Sequence, residues 1–360
     1  MALTKLGIQH FRNLHQVAIE PHPKINLIIG ANASGKTSLL EAIYFLSRAG
    51  SFRTNRFDRL LENGQESLSV HATKISKTGK KVHFGVKKSA KQVQIRINEQ
   101  KISKTSALVK NLPVQVIHPN SHQLMEEGPQ FRRQFVDWGV FHVEHEFYPV
   151  WLRYRKALKQ RNTALKQMGN KTAIQAWDAE LIQSGEQIDR YRRQYLKQLS
   201  DAFEALIQPV LGNLGFDLEY RQGWVAQQTL QEALQASLSQ DCERGFTACG
   251  PQRADMLIRV DGRLASERIS RGQQKLLVTC LLLAQAALYN KLTSEQCLLL
   301  IDDVAAELDE QNRANILQHL RGMQVQMFMT ALDAAAFSEL SSTNEKQVFH
   351  VEQGTVTASI

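Results

Sequence analysis

The chain has 360 residues, of which 43% are hydrophobic and 22% are charged, and its formal net charge is +9. This composition excludes disorder as the default state, and the length favours two domains or one domain with a large insertion. The positive charge favours a polyanionic partner, although charge alone does not distinguish DNA from RNA or a membrane surface.

The chain opens with patterns typical of short strands. Leu3–Gln9 and Val17–Glu20 are predicted strands on either side of a turn at Phe11–Asn13, and Ile25–Ile29 is an apolar run typical of a buried strand. A helix is predicted over Lys36–Ser47, because apolar residues recur on one of its faces.

The segment between the third strand and this helix, GANASGKT, matches the P-loop pattern G-x-x-x-x-G-K-[ST]. In such a loop, backbone N–H groups and the positive end of the following helix hold phosphate oxygens. Lys36 is predicted to reach the β- and γ-phosphates of ATP, and Thr37 to ligate Mg²⁺. The predicted nucleotide-binding residues of this loop are Gly30, Ala31, Asn32, Ala33, Ser34, Gly35, Lys36 and Thr37.

Residues 67–117 are predicted to form antiparallel strands, with the sequences SLSVHATKI, KVHFGVKK, QVQIRI and PVQVIH. Residues 71–110 carry eleven lysines and arginines against one glutamate, so these hairpins are either a DNA contact or a solvated surface. From Gln130 to about Gln240 the pattern becomes helical, and a strand is predicted again at Met256–Val260.

A long apolar helix follows the sequence Ser270-x-Gly272-Gln273. Serine suits the N-cap of a helix, and the free N–H groups there can hold an anion. Taken alone, the segment is typical of an ordinary capped helix. Its position about thirty residues before a carboxylate motif makes it similar to the ABC signature sequence. In that class of ATPase, the signature contacts ATP held by a second subunit.

The carboxylate motif is LLLIDDVAAELD, Leu298–Asp309, in which an apolar strand ends in two aspartates. Such a strand places its terminal carboxylate at the edge of the sheet where the P-loop lies. Asp302 is the predicted Mg²⁺ partner, and Asp303 is predicted to polarise the attacking water. Because neighbouring strand residues alternate, we expect the two side chains to point in opposed directions. Lys36 and Asp302 are 266 positions apart, so the ATPase domain is predicted to be discontinuous.

Three further features predict a cytoplasmic protein. The four cysteines form no CxxC pair, which is typical of reduced thiols, and the N-terminus lacks a signal pattern. The longest apolar run, Leu276–Tyr289, is too short to span a bilayer and is predicted to be a buried helix.

These motifs together resemble the RecF family of bacterial recombination-repair proteins over nearly the whole chain. In order they are FRN, GANASGKTSLLEAIYFLS, SFRT, GPQFRRQFVDWGVFHVE, GPQRAD, SRGQQK and IDDVAAELD. The family's relatives are the SMC-like ATPases, but this chain has no long heptad coiled coil.

The resemblance implies an α/β fold, with an ABC-type P-loop ATPase head and an inserted α-helical lobe. The head would combine a mixed sheet with an antiparallel β-subdomain. We assign residues 1–125 and 246–360 to the head and residues 126–245 to the lobe. The resemblance further implies a weak, DNA-stimulated ATPase that acts as an ATP-dependent homodimeric clamp on duplex DNA near single-strand gaps and junctions. It would help to load RecA together with RecO and RecR.

The resemblance also assigns residues. It gives Mg²⁺ to Asp302 with Thr37, and catalytic roles to Lys36, Asp303 and Ser270. The γ-phosphate of the partner's ATP would be contacted by Ser270, Gly272 and Gln273. Arg12 and Asn13 would lie close to the nucleotide.

Three departures from the family pattern affect these roles. Ala33 stands where the family has glycine, which is acceptable only if the backbone avoids positive φ. GPQRAD replaces GPHRDD, which removes a histidine and an aspartate. Thr330 follows the predicted strand Val325–Met329, where many ABC proteins have a histidine, so slow hydrolysis is expected.

Two other functional classes contain a P-loop. A small-molecule kinase would need a substrate lid and has no use for the Ser270 signature. An ABC importer ATPase would dock on a membrane partner, and neither the basic hairpins nor the RecF-like strings favour that interpretation.

Overall fold

The computed structural model describes residues 2–76, 78–167, 171–212, 214–293, 295–303, 310–333 and 345–359. The chain divides into two compact units. Unit 1 combines Met1–Ser121 with Tyr289–Ile360, and unit 2 is His122–Leu288. The structure therefore groups residues 246–288, which the sequence analysis assigned to the ATPase head, with the inserted segment.

The strands and helices of the described residues are as follows. The strands are β1 (Ala2–Phe11), β2 (Leu14–Ile19), β3 (Ile25–Ile29), β4 (Ser67–Ile75), β5 (Lys81–Ser89), β6 (Val93–Ile97), β7 (Gln100–Ile102), β8 (Val114–Ile117), β9 (Phe216–Arg221), β10 (Asp255–Val260), β11 (Arg263–Leu264), β12 (Leu298–Ile301), β13 (Met327–Ala331), β14 (Lys346–Glu352) and β15 (Thr355–Ala358). The helices are α1 (Lys36–Arg48), α2 (Ser106–Asn111), α3 (Gln123–Glu126), α4 (Pro129–Val143), α5 (Phe147–Lys166), α6 (Lys171–Gln175), α7 (Asp178–Leu211), α8 (Leu230–Arg244), α9 (Ala265–Arg268), α10 (Arg271–Thr293) and α11 (Glu310–Gly322).

One sheet of unit 1 is antiparallel and has the strand order β2-β1-β4-β5-β6-β7. Buried and more exposed residues alternate along β4, because one face of the sheet packs on the core. The predicted hairpins between residues 67 and 97 are confirmed, and the short strand β7 was not predicted.

The second sheet of unit 1 has the order β15-β14-β3-β13-β12-β8 and is parallel except at β15. All five residues of β3 are buried, as the apolar run predicted. β8 pairs in parallel with β12. The prediction that PVQVIH continues the antiparallel hairpins is therefore wrong, because a short apolar strand carries no information about its partner.

The core of unit 1 lies around α1. Its apolar side chains, Leu39, Leu40, Ile43, Phe45 and Leu46, belong to one buried cluster with residues of both sheets. This packing fixes the start of α1 beside the carboxyl ends of β3, β13 and β12. The loop before α1 and the residues after β12 therefore meet at one edge of the sheet.

Unit 2 is mainly helical, but it also contains the three-stranded sheet β11-β10-β9. Strand β9 was not predicted from the sequence, because FDLEYR lies within a long region of helical patterns. β9 pairs antiparallel with β10 over six residues. This pairing explains why β10 groups with unit 2 and not with the second sheet of unit 1.

Helix α10 begins in unit 2 and ends in unit 1. It is long and apolar enough to cross a membrane, but 72% of its most apolar window is buried inside the protein. The buried helix predicted over Leu276–Tyr289 is thus confirmed.

Candidate functional site

The backbone of the P-loop uses conformations that favour glycine. Gly30 has φ 157° and Gly35 has φ 122°. A Cβ atom on Gly30 would lie 2.3 Å from the carbonyl oxygen of Val351, and one on Gly35 would lie 2.9 Å from Asn13 Nδ2. Both positions therefore require glycine, for its backbone freedom and for close approach.

Ala33 adopts the left-handed conformation, with φ 61°. The condition under which alanine would be acceptable at this position is therefore not met. An L-residue in this region costs about 1 kcal/mol relative to glycine. The remaining contacts of the loop must offset that strain.

Lys36 is 4% exposed and its ammonium folds back over the loop. Its Nζ donates to the carbonyl oxygens of Gly30 (2.7 Å) and Ala31 (2.9 Å). The Lys36 ammonium is therefore held beside the loop by two neutral carbonyl acceptors. A phosphate oxygen would be a much stronger acceptor for the same group.

Two threonines bring the carboxylate of Asp302 into the site. Thr37 Oγ1 donates to Asp302 Oδ1 at 3.0 Å, and Thr330 Oγ1 donates to the same atom at 2.9 Å. The topology explains this contact, because β13 lies between β3 and β12 and presents Thr330 between the P-loop and Asp302. From the sequence, Thr330 was notable only because many ABC proteins have a histidine at that position.

Asp302 is 5% exposed, and burial raises the pKa of its carboxyl group. Hydrogen bonds from Thr330 and Thr37 lower that pKa in part. A buried carboxylate with neutral donors favours a nearby cation. Hydroxyl and carboxylate oxygens are the ligands that Mg²⁺ prefers, so this pair of side chains fits that ion.

Asp303 does not point away from Asp302 as expected. Its backbone is left-handed, with φ 47°, and its N–H donates to Thr330 Oγ1 at 2.8 Å. Asp303 Oδ1 lies 3.4 Å from the same hydroxyl oxygen. Strict alternation holds only for extended backbone, and the strand has already ended at Ile301. The rest of the motif, residues 304–309 with the ELD sequence, lies outside the described residues.

Asn13 holds the P-loop from outside. Its Nδ2 donates to the carbonyl oxygen of Ser34 at 3.1 Å, and its Oδ1 accepts from Ser38 Oγ at 2.8 Å. Gly354 N–H donates to the same carbonyl of Ser34 at 2.9 Å. Asn13 therefore lies beside the loop, and its amide is used to position the loop backbone.

Arg12 forms an ion pair with the buried carboxylate of Glu41. Its guanidinium binds both oxygens of Glu41, with Nη2 to Oε1 at 2.8 Å and a second bond from Nε. Glu41 is fully buried on α1, and Ser51 and Arg53 also contact it. Arg53 in addition lowers the pKa of Asp302. Glu41 was not predicted from the sequence, in which its one signal was that it is the only acidic residue of the largely apolar helix α1.

The signature segment lies in unit 2 and begins α10. Ser270 Oγ accepts from the N–H of Gln273 at 3.3 Å, and Gln273 Oε1 accepts from the N–H of Ser270 at 3.0 Å. This is the reciprocal capping arrangement, so the predicted N-cap geometry is present. Ser270, Arg271 and Gly272 are exposed, which leaves the start of the helix accessible to a ligand.

The altered GPQRAD motif is held inside unit 2. Gln252 accepts a hydrogen bond from the Tyr154 hydroxyl and donates to the carbonyl oxygen of Cys249 at 2.8 Å. Arg132 binds both carboxylate oxygens of Asp255, at 2.8 and 3.0 Å. Gln252, which stands where the family has histidine, thus has a structural place in this loop.

The lysine-rich hairpins present only part of their charge to solvent. Lys80, Lys81, Lys87 and Lys91 are exposed. Lys74 is buried, its Nζ donates to the carbonyl oxygen of Asn111, and burial lowers its pKa. Lys88 donates to the carbonyl oxygen of Ala49 at 3.1 Å and lies over the ring of Phe57. These two lysines stabilise the fold and are not available to a polyanion.

Comparisons with known proteins extend over the whole chain. The family model described as RecF/RecN/SMC N terminal domain matches residues 2–357. The DNA replication and repair protein RecF of Azotobacter vinelandii is 41% identical over 360 residues, covering 99% of this chain and 98% of that protein. The RecF of Shewanella baltica is 38% identical and covers 99% of both.

Solved structures give the same result. A structure of the recombination mediator protein RecF with ATP, from the RecFOR pathway, matches with a TM-score of 0.89 and 26% identity. The match covers 100% of this chain and 98% of that chain. The Smc head domain of Pyrococcus furiosus shares the fold, with a TM-score of 0.60 and 14% identity. That match covers 99% of this chain and 96% of the Smc chain. The fold is that of an ABC-type ATPase head, and the chain belongs to the RecF/RecN/SMC N-terminal domain family and, within it, to the RecF proteins.

Proposed function

We propose that the protein is an ATP-dependent DNA-binding protein of recombinational repair and replication, located in the cytoplasm. It acts as a nucleotide-gated homodimeric clamp on duplex DNA near single-strand gaps, with RecO and RecR, to help RecA load. One observation carries the proposal. Asp302 lies 3.0 Å from the P-loop hydroxyl of Thr37, in a chain that matches RecF over its full length.

In this proposal the P-loop residues Gly30–Thr37 surround the phosphates of ATP, and Lys36 turns from the loop carbonyls towards the β- and γ-phosphates. Thr37 and Asp302 hold Mg²⁺, which, when bound, neutralises charge on the phosphate oxygens. Asp303 orients the attacking water and accepts its proton. Thr330 keeps the two carboxylates in place through its hydroxyl.

The weak hydrolysis that we propose has a physical reason in this arrangement. Thr330 occupies the position of the histidine that follows this strand in many ABC proteins, and its hydroxyl proton is directed to Asp302 Oδ1. That proton is therefore not directed at a water near Asp303. Turnover is slow, and hydrolysis acts as a switch that reopens the dimer.

The second half of each ATP site comes from a second copy of the chain. Ser270, Gly272 and Gln273 lie at the exposed start of a 23-residue helix, where free N–H groups attract an anion. We propose that this start contacts the γ-phosphate of the ATP bound by the partner copy. ATP binding would then close the dimer around two shared sites.

Solution mass tests the clamp. We expect the protein to be monomeric without nucleotide and dimeric with Mg-ATP. We expect the dimer to be retained on gapped duplex DNA. A small-molecule kinase has no need of ATP-dependent dimerisation or of DNA binding, so light scattering with and without both ligands separates the two functions.

Ser270→Arg should abolish ATP-dependent dimerisation. The variant places a bulky cation where the partner's phosphate docks, yet each subunit keeps its own P-loop and should bind ATP normally. Calorimetry measures ATP binding and light scattering measures the dimer. Ser239→Arg on α8 introduces the same exposed change elsewhere in unit 2 and should dimerise normally. A normal dimer from Ser270→Arg would show that the signature assignment is wrong.

Replacing Lys80, Lys81, Lys87 and Lys91 with glutamate should weaken binding to all DNA sequences alike. Each phosphate contact that is lost reduces the slope of log affinity against log salt by roughly 0.9. Lys74 and Lys88 are left unchanged, because both stabilise the fold. The matched variant replaces the exposed lysines Lys156, Lys159, Lys166 and Lys197 of unit 2. If only the matched variant loses affinity, the DNA surface lies on the helical lobe.

A further inference from the structure

Two histidines and a glutamate converge beside the turn at Phe11–Asn13, outside the groups assigned to ATP and Mg²⁺. His10 Nδ1 lies 2.6 Å from Glu62 Oε2, and His15 Nδ1 lies 3.1 Å from both oxygens of Glu62. One ligand atom from each residue lies within 4.8 Å of the others. Across the described ranges, no other group of three or more His, Cys, Asp or Glu residues meets this distance.

Backbone pairing holds the three residues together. His10 and His15 lie on β1 and β2, which are joined by a two-residue turn. Glu62 N–H donates to the carbonyl oxygen of His10 at 3.1 Å, and Arg12 N–H donates to that of Leu60 at 2.8 Å. The residues around Glu62 are therefore pinned to the end of β1 and to the first residue of the turn, and the cluster does not depend on side-chain contacts alone.

The charge of the cluster suits a cation. The hydrogen bond from His10 is the largest cause of the lowered pKa of Glu62, and burial opposes it. The lowered pKa favours the ionised form of Glu62, so the cluster offers a carboxylate ligand beside two imidazoles. The side chain of His15 is 69% exposed and that of Glu62 is 24% exposed, so an ion can enter from solvent into a partly desolvated site.

We propose that His10, His15 and Glu62 form a binding site for a divalent transition metal of the zinc type. Two imidazole nitrogens and one carboxylate oxygen are a common set of three zinc ligands, with water in the fourth position. Tetrahedral bonds of about 2.1 Å place ligand atoms about 3.4 Å apart. The two separations from Glu62, 2.6 and 3.1 Å, differ from this value by less than about 1 Å, and the two imidazoles offer ligand atoms within 4.8 Å of each other. Each neutral imidazole would carry its proton on Nε2, so that Nδ1 offers its lone pair.

An ion at this position would join Glu62 to both strands that flank the turn. It would hold in place the segment that carries Asn13 and Arg12. It would also stabilise the native protein, because the unfolded chain does not preform the site.

Titration of the full-length, nucleotide-free protein with Zn²⁺ tests the site. Excess Mg²⁺ is present throughout to occupy the oxygen ligands near Thr37. We expect one Zn²⁺ per chain by calorimetry, a rise in unfolding temperature, and an absorption band of tetrahedral Co²⁺ when that ion replaces zinc. His15→Ala and Glu62→Gln should each lower zinc affinity by at least about 10-fold. His83→Ala, which removes an exposed histidine of β5, should bind zinc normally.

Each other outcome overturns the proposal. If the wild type binds no zinc, the three side chains form only a hydrogen-bonded cluster. If zinc binds equally well to His15→Ala and Glu62→Gln, the ion lies at another site. Loss of binding in His83→Ala would point to nonspecific binding by surface histidines.

Discussion

Lys36→Ala should lower ATP affinity by about 10²-fold while the fold persists. The ammonium is the P-loop's only side-chain cation, and truncating one partner of a buried charge pair costs about 3 kcal/mol. Calorimetry with Mg-ATP measures the affinity. The variant also leaves the carbonyl oxygens of Gly30 and Ala31 without this donor, so the unfolding temperature must be measured alongside.

Two further variants separate charge from folding in this experiment. Lys5→Ala removes an exposed lysine of the same unit, which pairs with Glu20 at 3.4 Å, and should bind ATP as the wild type does. Lys36→Arg keeps the charge and should retain more affinity than alanine. Unchanged ATP affinity in a folded Lys36→Ala protein would contradict the P-loop assignment.

Asp303→Asn should reduce ATP hydrolysis by roughly 10²-fold or more, because it removes the charge that orients and deprotonates water. Asparagine tolerates the left-handed backbone found at this position, so the local conformation should survive. ATP binding and dimerisation should remain, and the dimer should stay longer on DNA. Phosphate release measures the rate, and dissociation from gapped DNA measures the lifetime.

Asp302→Asn should instead weaken Mg-ATP binding and dimerisation together. The amide oxygen can still accept from Thr37 and Thr330, but the charge that attracts Mg²⁺ is lost. Stability should not fall in the absence of nucleotide. Burial raises the pKa of Asp302, so the stability that its neutral form contributes is present at acid pH and is lost as pH rises through the raised pKa. Asparagine resembles that neutral form at every pH.

The two aspartate variants are therefore distinguished by what they lose. Asp303→Asn should lose ATP hydrolysis, and Asp302→Asn should lose affinity for Mg-ATP. ATP hydrolysis at the wild-type rate in Asp303→Asn would mean that another group holds the attacking water. Normal Mg-ATP affinity in Asp302→Asn would remove this residue from the metal site. A lower unfolding temperature for nucleotide-free Asp302→Asn would mean that the ionised carboxylate stabilises the fold.

Much of the fold could be predicted from the sequence, because the spacing of apolar residues along a segment indicates whether that segment is a helix or a strand and which residues are buried. The apolar run Ile25–Ile29 predicted a strand with the same bounds, and the amphipathic pattern after it predicted α1. Partners in a sheet are set by contacts between distant residues, which local periodicity does not contain. For this reason β8 was assigned to the wrong sheet, and β10 was assigned to the ATPase head although it pairs with β9 of unit 2.

The candidate site, like the fold, has features that could be predicted from the sequence and features that depend on tertiary contacts. The sequence by itself determined the P-loop at Gly30–Thr37 and a carboxylate at the end of β12, since each is a short motif whose chemistry needs those residue types. Only the tertiary structure decided that β13 places Thr330 between them, and that Asp303 turns back towards the same hydroxyl. It also decided which charges remain available. Glu41 neutralises Arg12, and the fold buries Lys74, because ion pairing and burial depend on neighbours brought together by folding.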